Sequence, residues 1–253
     1  MKTVIVIPAR LGAVRLPRKP LRPLGGLPLI LQVWRRVQGM NVADRVVVAT
    51  DHDEVASVAR GAGAEVVMTS PDCASGTARV AEVADAPGFE DFDAFVNVQG
   101  DEPFISEAFV RAAANVVRTG SFTLGTVAAP ATADIFDIPS VVKVVTGTDG
   151  RALYFSRAPI PYLRDAADAG ARVPLTLQHI GVYSYTRDAL ARWVALPPHP
   201  LEEIERLEQL RPLANGMDIG VAVVSERAEC GIDTEEDLHH ANSRWSAFVA
   251  EEH

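Results

Sequence analysis

Val4-Ile5-Val6-Ile7, running into Pro8-Ala9-Arg10, is the stretch from which the fold can be read. Four consecutive apolar, β-branched residues match a strand buried on both faces, the pattern of a parallel sheet covered by helices on either side. Pro8 and Arg10 end the run after a handful of residues, far short of a signal-peptide core or a bilayer span. Working outward, Leu29–Val37 has the apolar period of a helix and Arg45–Thr50 reads as a second strand. Glu54–Arg60 reads as a helix capped by Asp51 or Asp53 and ended near Gly61 and Gly63. Glu65–Thr69 is a third strand, and 75–84 a third helix opened by Ser75-Gly76-Thr77. Ala94–Val98 is a further buried strand. Strand and helix alternate, which predicts an α/β doubly wound sheet with right-handed crossovers.

Beyond this the pattern loosens. Thr123–Ala128, Val141–Val145 and His179–Tyr185 read as strands, and 187–194, 201–210 and 235–248 as helices. No repeat or Ser/Gly linker divides the chain. A single domain over 1–253 with an excursion at about 130–185 is the economical expectation.

The chain has 253 residues, of which 48% are apolar and 23% charged, with a net charge of −9. Such a composition supports a sizeable core, and the negative balance argues against general binding to nucleic acid or an anionic membrane. The two cysteines, Cys73 and Cys230, are too few for a disulfide framework or zinc cluster and are expected to be free thiols in a reducing cytosol.

In an open α/β sheet, ligands bind beyond the carboxyl ends of the strands. The first strand exits into Arg10, Arg15, Arg18 and Lys19, interleaved with prolines that limit the entropy lost on wrapping a ligand. Such cations would bind a triphosphate and receive the charge that builds on departing pyrophosphate; alternatively they form a solvated basic loop. Neither a P-loop nor a GxGxxG is present. The strand at 94–98 exits into Gln99-Gly100-Asp101-Glu102-Pro103, where Asp101 could hold Mg²⁺ against phosphate or sit in an ordinary turn. Asp233, in Gly231-Ile232-Asp233-Thr234, could be a second ligand or simply cap the last helix, unless the fold brings it to Asp101. Ser75-Gly76-Thr77 offers N–H groups and hydroxyls at a helix start. His179, Tyr183 and Tyr185 alternate and should share one face, and a histidine there reads first as a core residue.

In order and spacing, Pro8-Ala9-Arg10, Arg15-Leu16-Pro17, Lys19-Pro20-Leu21, Ala49-Thr50-Asp51, Ser75-Gly76-Thr77 and Asn97–Pro103 resemble the CMP-Kdo synthetases (3-deoxy-manno-octulosonate cytidylyltransferases). Val142–Val145, Ala152–Arg157, His179–Tyr183, Leu207–Arg211 and Gly231–Thr234 extend the likeness over residues 4 to about 240. The resemblance implies a Rossmann-like nucleotidyltransferase fold, mixed but mainly parallel, with the excursion serving dimerisation and part of the sugar site. It implies a cytoplasmic enzyme of lipopolysaccharide biosynthesis that activates Kdo with CTP and requires Mg²⁺. By position, Arg10, Arg15 and Lys19 would hold the CTP phosphates, with Ser75, Gly76 and Thr77 near the nucleotide. Asp101 and Asp233 would be catalytic and bind the metal together with Lys19 acting on phosphate. Gln99, Arg157, His179, Tyr183, Glu208 and Gln209 would shape the sugar pocket, Arg157 facing the sugar carboxylate. The partners implied are CTP, an acidic sugar and a second copy of the chain, with no nucleic acid and no membrane. Ala13, Cys73, Ala78 and Ser140 depart from the family pattern. Related acidic sugars (8-amino-Kdo, a sialic acid) and a non-catalytic nucleotide-binding module are the alternative readings.

Overall fold

The computed structural model describes residues 1–12, 15–132, 134–229 and 231–251. Ala13 and Cys230 lie outside the described residues. The chain divides into two compact units, one of Lys2–Phe92, Asn97–Glu107 and Glu229–His253, the other of Met1, Asp93–Val96 and Ala108–Ala228.

In the first unit the strands Thr3–Ala9, Arg45–Thr50 and Glu65–Met68 run parallel, with Val4 opposite Arg45, Ile7 opposite Val48 and Val47 opposite Glu65. Val4 to Ile7 are entirely buried, as a strand covered on both faces requires. The helix Leu29–Gly39 buries Leu29, Ile30, Val33 and Val37 on one face. The helix Asp53–Gly61 is capped by His52, whose ring nitrogen accepts from Glu54 N–H at 3.2 Å; neither Asp51 nor Asp53 is the cap. Asp51 instead pairs with Arg79, and Asp53 is already the first helical residue. The helix Gly76–Asp85 is capped by Ser75, its hydroxyl accepting from Ala78 N–H at 3.2 Å, as the Ser-Gly-Thr start predicts.

The closing helix, Glu235–Glu251, is tied to the region near residue 24. Asn242 accepts from Gly25 N–H at 3.0 Å and donates to the Pro23 carbonyl at 3.2 Å, while Arg22 donates to Glu235 through Nη1 and Nη2. These contacts anchor the segment that carries Asp233.

The second unit is mixed. Leu124–Pro130 pairs parallel with Ile219–Val223 and antiparallel with Leu177–Thr186, where the register shifts between Ile180 and Tyr183. Lys143–Thr146 runs antiparallel to Ala152–Ser156 and to Leu177–Thr186. The expected excursion at 130–185 falls within this unit. Among the described elements of five or more residues, three lie beyond the sequence reading: the helix Glu107–Arg118 and the strands Ala152–Ser156 and Ile219–Val223. The single helix expected over 201–210 is two, Pro200–Glu205 and Leu210–Ala214, because Arg206 adopts a left-handed conformation (φ 54°) that no continuous α-helix accepts. Glu208 and Gln209 therefore lie in a break, and Gln209 is buried rather than on a wet face. No helix among the described residues is long and apolar enough to cross a membrane.

Candidate active site

The carboxyl ends of the first unit's strands open on a cavity of about 460 Å³. Its walls come from the first-strand exit (Pro8, Ala9, Arg10 and Gly12, then Arg15, Leu16, Lys19 and Pro20), the 73–79 segment, the Gln99-Gly100-Asp101 turn, and Asp233. Gly100 is what lets two of these walls meet: a Cβ there would lie 2.6 Å from the Pro8 carbonyl oxygen. That contact is closer than side-chain carbons tolerate, so glycine sets the approach.

Backbone pairing places the second carboxylate. The Ile232 N–H donates to the Asp101 carbonyl at 2.9 Å, which lays 231–233 alongside the Asp101 turn. Capping of the last helix is done by Thr234 and Asp237: Thr234 Oγ1 accepts from Asp237 N–H at 3.1 Å. Asp237 Oδ2 in turn accepts from the N–H groups of Thr234 and Asp233 at 2.8 and 3.0 Å. With that work done by its neighbours, Asp233 turns its carboxylate into the cavity.

There Lys19 Nζ donates to Asp101 Oδ2 and, at 2.8 Å, to Asp233 Oδ1. Arg15 Nη2 donates to Asp233 Oδ2 at 2.8 Å. Burial works to lower the Lys19 pKa, but the charge and hydrogen bond of Asp101, then those of Asp233, outweigh it and hold the ammonium above the ordinary lysine value. Burial likewise works to raise Asp233, yet Lys19 and then Arg15 keep it below the usual carboxylate range. Glu102, next in sequence, is raised well above that range, first by burial and then by the charges of Asp101 and Asp233. The neutral form of Glu102 is thereby favoured.

The other expected nucleotide residues divide. Arg10 is exposed on the cavity wall. Ser75 and Gly76 also line it, whereas Thr77 is buried on the inner side of its helix and does not. Arg79 is a cavity residue the sequence reading missed. It is 2% exposed, donates to Thr69 Oγ1, and lies 3.4 Å from Asp51 Oδ2. Its position one helical turn after Gly76, on the face that carries Val80 and Val83 inward, was the available signal.

Of the expected sugar residues, Gln99 lines this cavity, and the rest belong to the second unit. His179 is buried, with Nε2 2.8 Å from Thr126 Oγ1. Thr126 Oγ1 also lies 2.8 Å from the Val182 carbonyl, to which its hydroxyl donates, so Nε2 is the donor to Oγ1. Burial lowers its pKa to about 3. The rings of His179 and Tyr183 are 5.4 Å apart and those of Tyr183 and Tyr185 6.3 Å, so the three do share a face. Burial, followed by Glu208 and Tyr185, pushes the Tyr183 phenol well above its usual value.

Arg157 is committed to its own unit. Its Nε, Nη1 and Nη2 donate to the carbonyls of Glu205, Pro139 and Arg206 at 2.7, 3.0 and 3.3 Å. Glu205 returns the grip, accepting from Ser156 Oγ at 2.6 Å and Arg157 N–H at 3.0 Å. Lys143, fully buried, donates to the carbonyls of Val141, Arg157 and Ile138 at 2.6, 2.6 and 3.1 Å. These bonds brace 138–141 against 205–206, next to the break that carries Glu208 and Gln209.

A family model described as cytidylyltransferase matches residues 4–219. A 3-deoxy-manno-octulosonate cytidylyltransferase of Gemmatimonas aurantiaca is 56% identical over 250 residues, covering 99% of this chain and 96% of its own. One of Methylococcus capsulatus is 46% identical over 249 residues, covering 96% of each. Among solved structures, a CMP:2-keto-3-deoxy-manno-octonic acid synthetase complexed with CTP superposes with a TM-score of 0.89 at 37% identity, covering 98% of this chain and 99% of its own. The fold is accordingly the mixed, mainly parallel Rossmann-like nucleotidyltransferase fold that the strand order and the motifs led one to expect.

Proposed function

The chain belongs to the 3-deoxy-manno-octulosonate cytidylyltransferases, and from that premise we propose that it transfers CMP from CTP to Kdo, releasing pyrophosphate, to supply lipopolysaccharide biosynthesis. The observation that carries this reading is the convergence of Asp101 and Asp233 on Lys19 in a cavity walled by Arg10 and Arg15. A nucleoside triphosphate needs cations for its phosphates and carboxylates for the divalent ion that accompanies them, and this cavity supplies both.

Mg²⁺ is the cofactor proposed. Asp101 and Asp233 present hard oxygen donors that reach one point, which suits an ion that keeps several waters and phosphate oxygens in its shell. Among the described residues no group of three or more His, Cys, Asp or Glu could hold a metal ion. When bound, the ion neutralises phosphate charge and lowers the pKa of a hydroxyl brought to it.

The reaction is in-line attack of the sugar's anomeric hydroxyl on the α-phosphorus. Lys19, Arg15 and Arg10 bind the phosphates and take up the charge that develops on the leaving pyrophosphate. Ser75 and Gly76 are assigned to the nucleoside, and Gln99, which lines the same cavity, to the sugar. His179, Tyr183, Glu208 and Gln209 of the second unit are assigned to the sugar, and Arg157 by its charge to the sugar carboxylate. A homodimer and a cytoplasmic location complete the proposal. Exposed Tyr162, Val173 and Leu175 in the 130–185 segment offer apolar area for a second copy. A composition with two cysteines fits a reducing compartment.

Pyrophosphate release measured with CTP, UTP, ATP or GTP against Kdo, 8-amino-Kdo and N-acetylneuraminate tests the assignment. CTP with Kdo should be the preferred pair; CTP binding without turnover on any acidic sugar would show a binding module instead.

A further inference from the structure

Between the strand Glu65–Met68 and the helix Gly76–Asp85 runs a loop whose last residues, Cys73 and Ser75, stand in the cavity wall. That loop has little of its own to hold it: a turn bond from Cys73 N–H to the Ser70 carbonyl at 3.4 Å, and one from Asp72 N–H to Ser70 Oγ at 3.1 Å. What fastens it is Glu82, two turns along the following helix. Glu82 Oε2 accepts from Ser70 N–H at 2.6 Å, and Oε1 accepts from the Cys73 thiol at 3.1 Å. One carboxylate thus holds both the start of the loop and its cavity end, using each oxygen once.

We propose that Glu82 is a positioning residue for the nucleotide, gripping the 70–75 loop so that Cys73, Ser75 and Gly76 form a fixed wall against the nucleoside of CTP. This rests on the CTP reading of the cavity and deepens it. The cations Arg10, Arg15 and Lys19 belong to a different segment of the cavity lining, the first-strand exit, and Glu82 holds the 70–75 loop alone. The hydrogen bond to Cys73 is a donor bond from a thiol that stays protonated. Burial first, and then Glu82, push the thiol up to about 11, so at neutral pH it neither ionises nor reacts readily.

Two readouts test the proposal. Mass-spectrometric mapping of maleimide alkylation at Cys73 reports the grip itself, with no dependence on catalysis. Glu82→Gln, which keeps shape but replaces one acceptor by an amide N–H₂, should raise the Cys73 alkylation rate several-fold at pH 8. Steady-state kinetics report the consequence: the KM for CTP should rise about three- to tenfold (about 0.6–1.4 kcal/mol), with kcat and the KM for Kdo within twofold. Glu82→Asp, retaining two carboxylate oxygens, should recover part of the CTP affinity. An unchanged alkylation rate in Glu82→Gln overturns the proposal, as does an equal rise in both KM values. A faster Cys73 alkylation in Glu82→Gln than in wild type, with wild type failing to bind CTP in a direct titration, would overturn the reading of the cavity instead.

Discussion

Asp101 and Asp233 lie far apart in sequence, yet both carboxylates accept from a single atom, Lys19 Nζ. The pairing is built in the backbone, where Ile232 N–H bonds the Asp101 carbonyl. It is completed by Thr234 and Asp237, which cap the last helix and leave the Asp233 side chain to the cavity.

Asp101→Asn and Asp233→Asn should each lower turnover by about 10²-fold or more, the scale of removing a group that stabilises developing charge. Neither should unfold the protein, because the backbone bond between the two segments persists. Pyrophosphate release and a thermal melt on the same samples check both statements; near-normal turnover in either variant would take that carboxylate out of the mechanism.

Lys19→Met should cost about ten- to a hundredfold in kcat/KM for CTP, the range for losing a hydrogen bond to a charged group. The KM for Kdo should change little. Initial-rate measurements varying each substrate separately distinguish this from a sugar-side role, which would reverse the pattern.

Gly100→Ala should be destabilising by about 1–3 kcal/mol, the scale of overpacking, because its Cβ would meet the Pro8 carbonyl oxygen at 2.6 Å. Since backbone on the Pro8 side must yield, CTP turnover should fall as well. Urea unfolding of the variant gives the first quantity, and a change below a few tenths of a kcal/mol would mean the two loops are free to separate.

His179 gives a pH dependence with a definite sign. Its folded pKa, about 3, is below the ordinary value of about 6.5, so between these the unfolded chain binds the extra proton. Its stability contribution is complete above about pH 6.5 and is lost as pH falls, at up to about 1.4 kcal/mol per unit. Urea denaturation from pH 7 to 4 should show a shallower decline for His179→Gln than for wild type. Parallel curves would mean the ring is solvated.

The parallel strands of the first unit were legible because Val4–Ile7 and Arg45–Thr50 are buried β-branched runs, where pattern and structure coincide. The placement of Arg10, Arg15, Lys19 and Asp101 around one cavity was legible for the same reason: charged residues directly after such strands must face the sheet's carboxyl edge. Other features depend on information that one-dimensional patterns do not hold. Whether Asp233 caps a helix or faces a cavity is decided by Thr234, whose hydroxyl accepts from Asp237 N–H, and by Asp237, whose carboxylate accepts from the N–H groups of Asp233 and Thr234. The break at Arg206 is a left-handed residue other than glycine, with no turn signature, inside an otherwise helical run. Arg79 and Lys143 are buried cations, and composition predicts exposure for both; only their partners, Thr69 and Asp51 for one and three carbonyls for the other, make burial tolerable. The helix Glu107–Arg118 could have been read from Phe109, Val110, Ala113, Ala114 and Val117, whose spacing is helical.

Calorimetric titration of CTP with and without Mg²⁺, on wild type and on the Asp101→Asn/Asp233→Asn double variant, probes the carboxylate pair most directly. Wild type should bind CTP more tightly when Mg²⁺ is present, and the double variant should lose that increment while still binding CTP through Arg10, Arg15 and Lys19. An increment of the same size in both proteins would contradict the account, because the ion would then be held without either carboxylate.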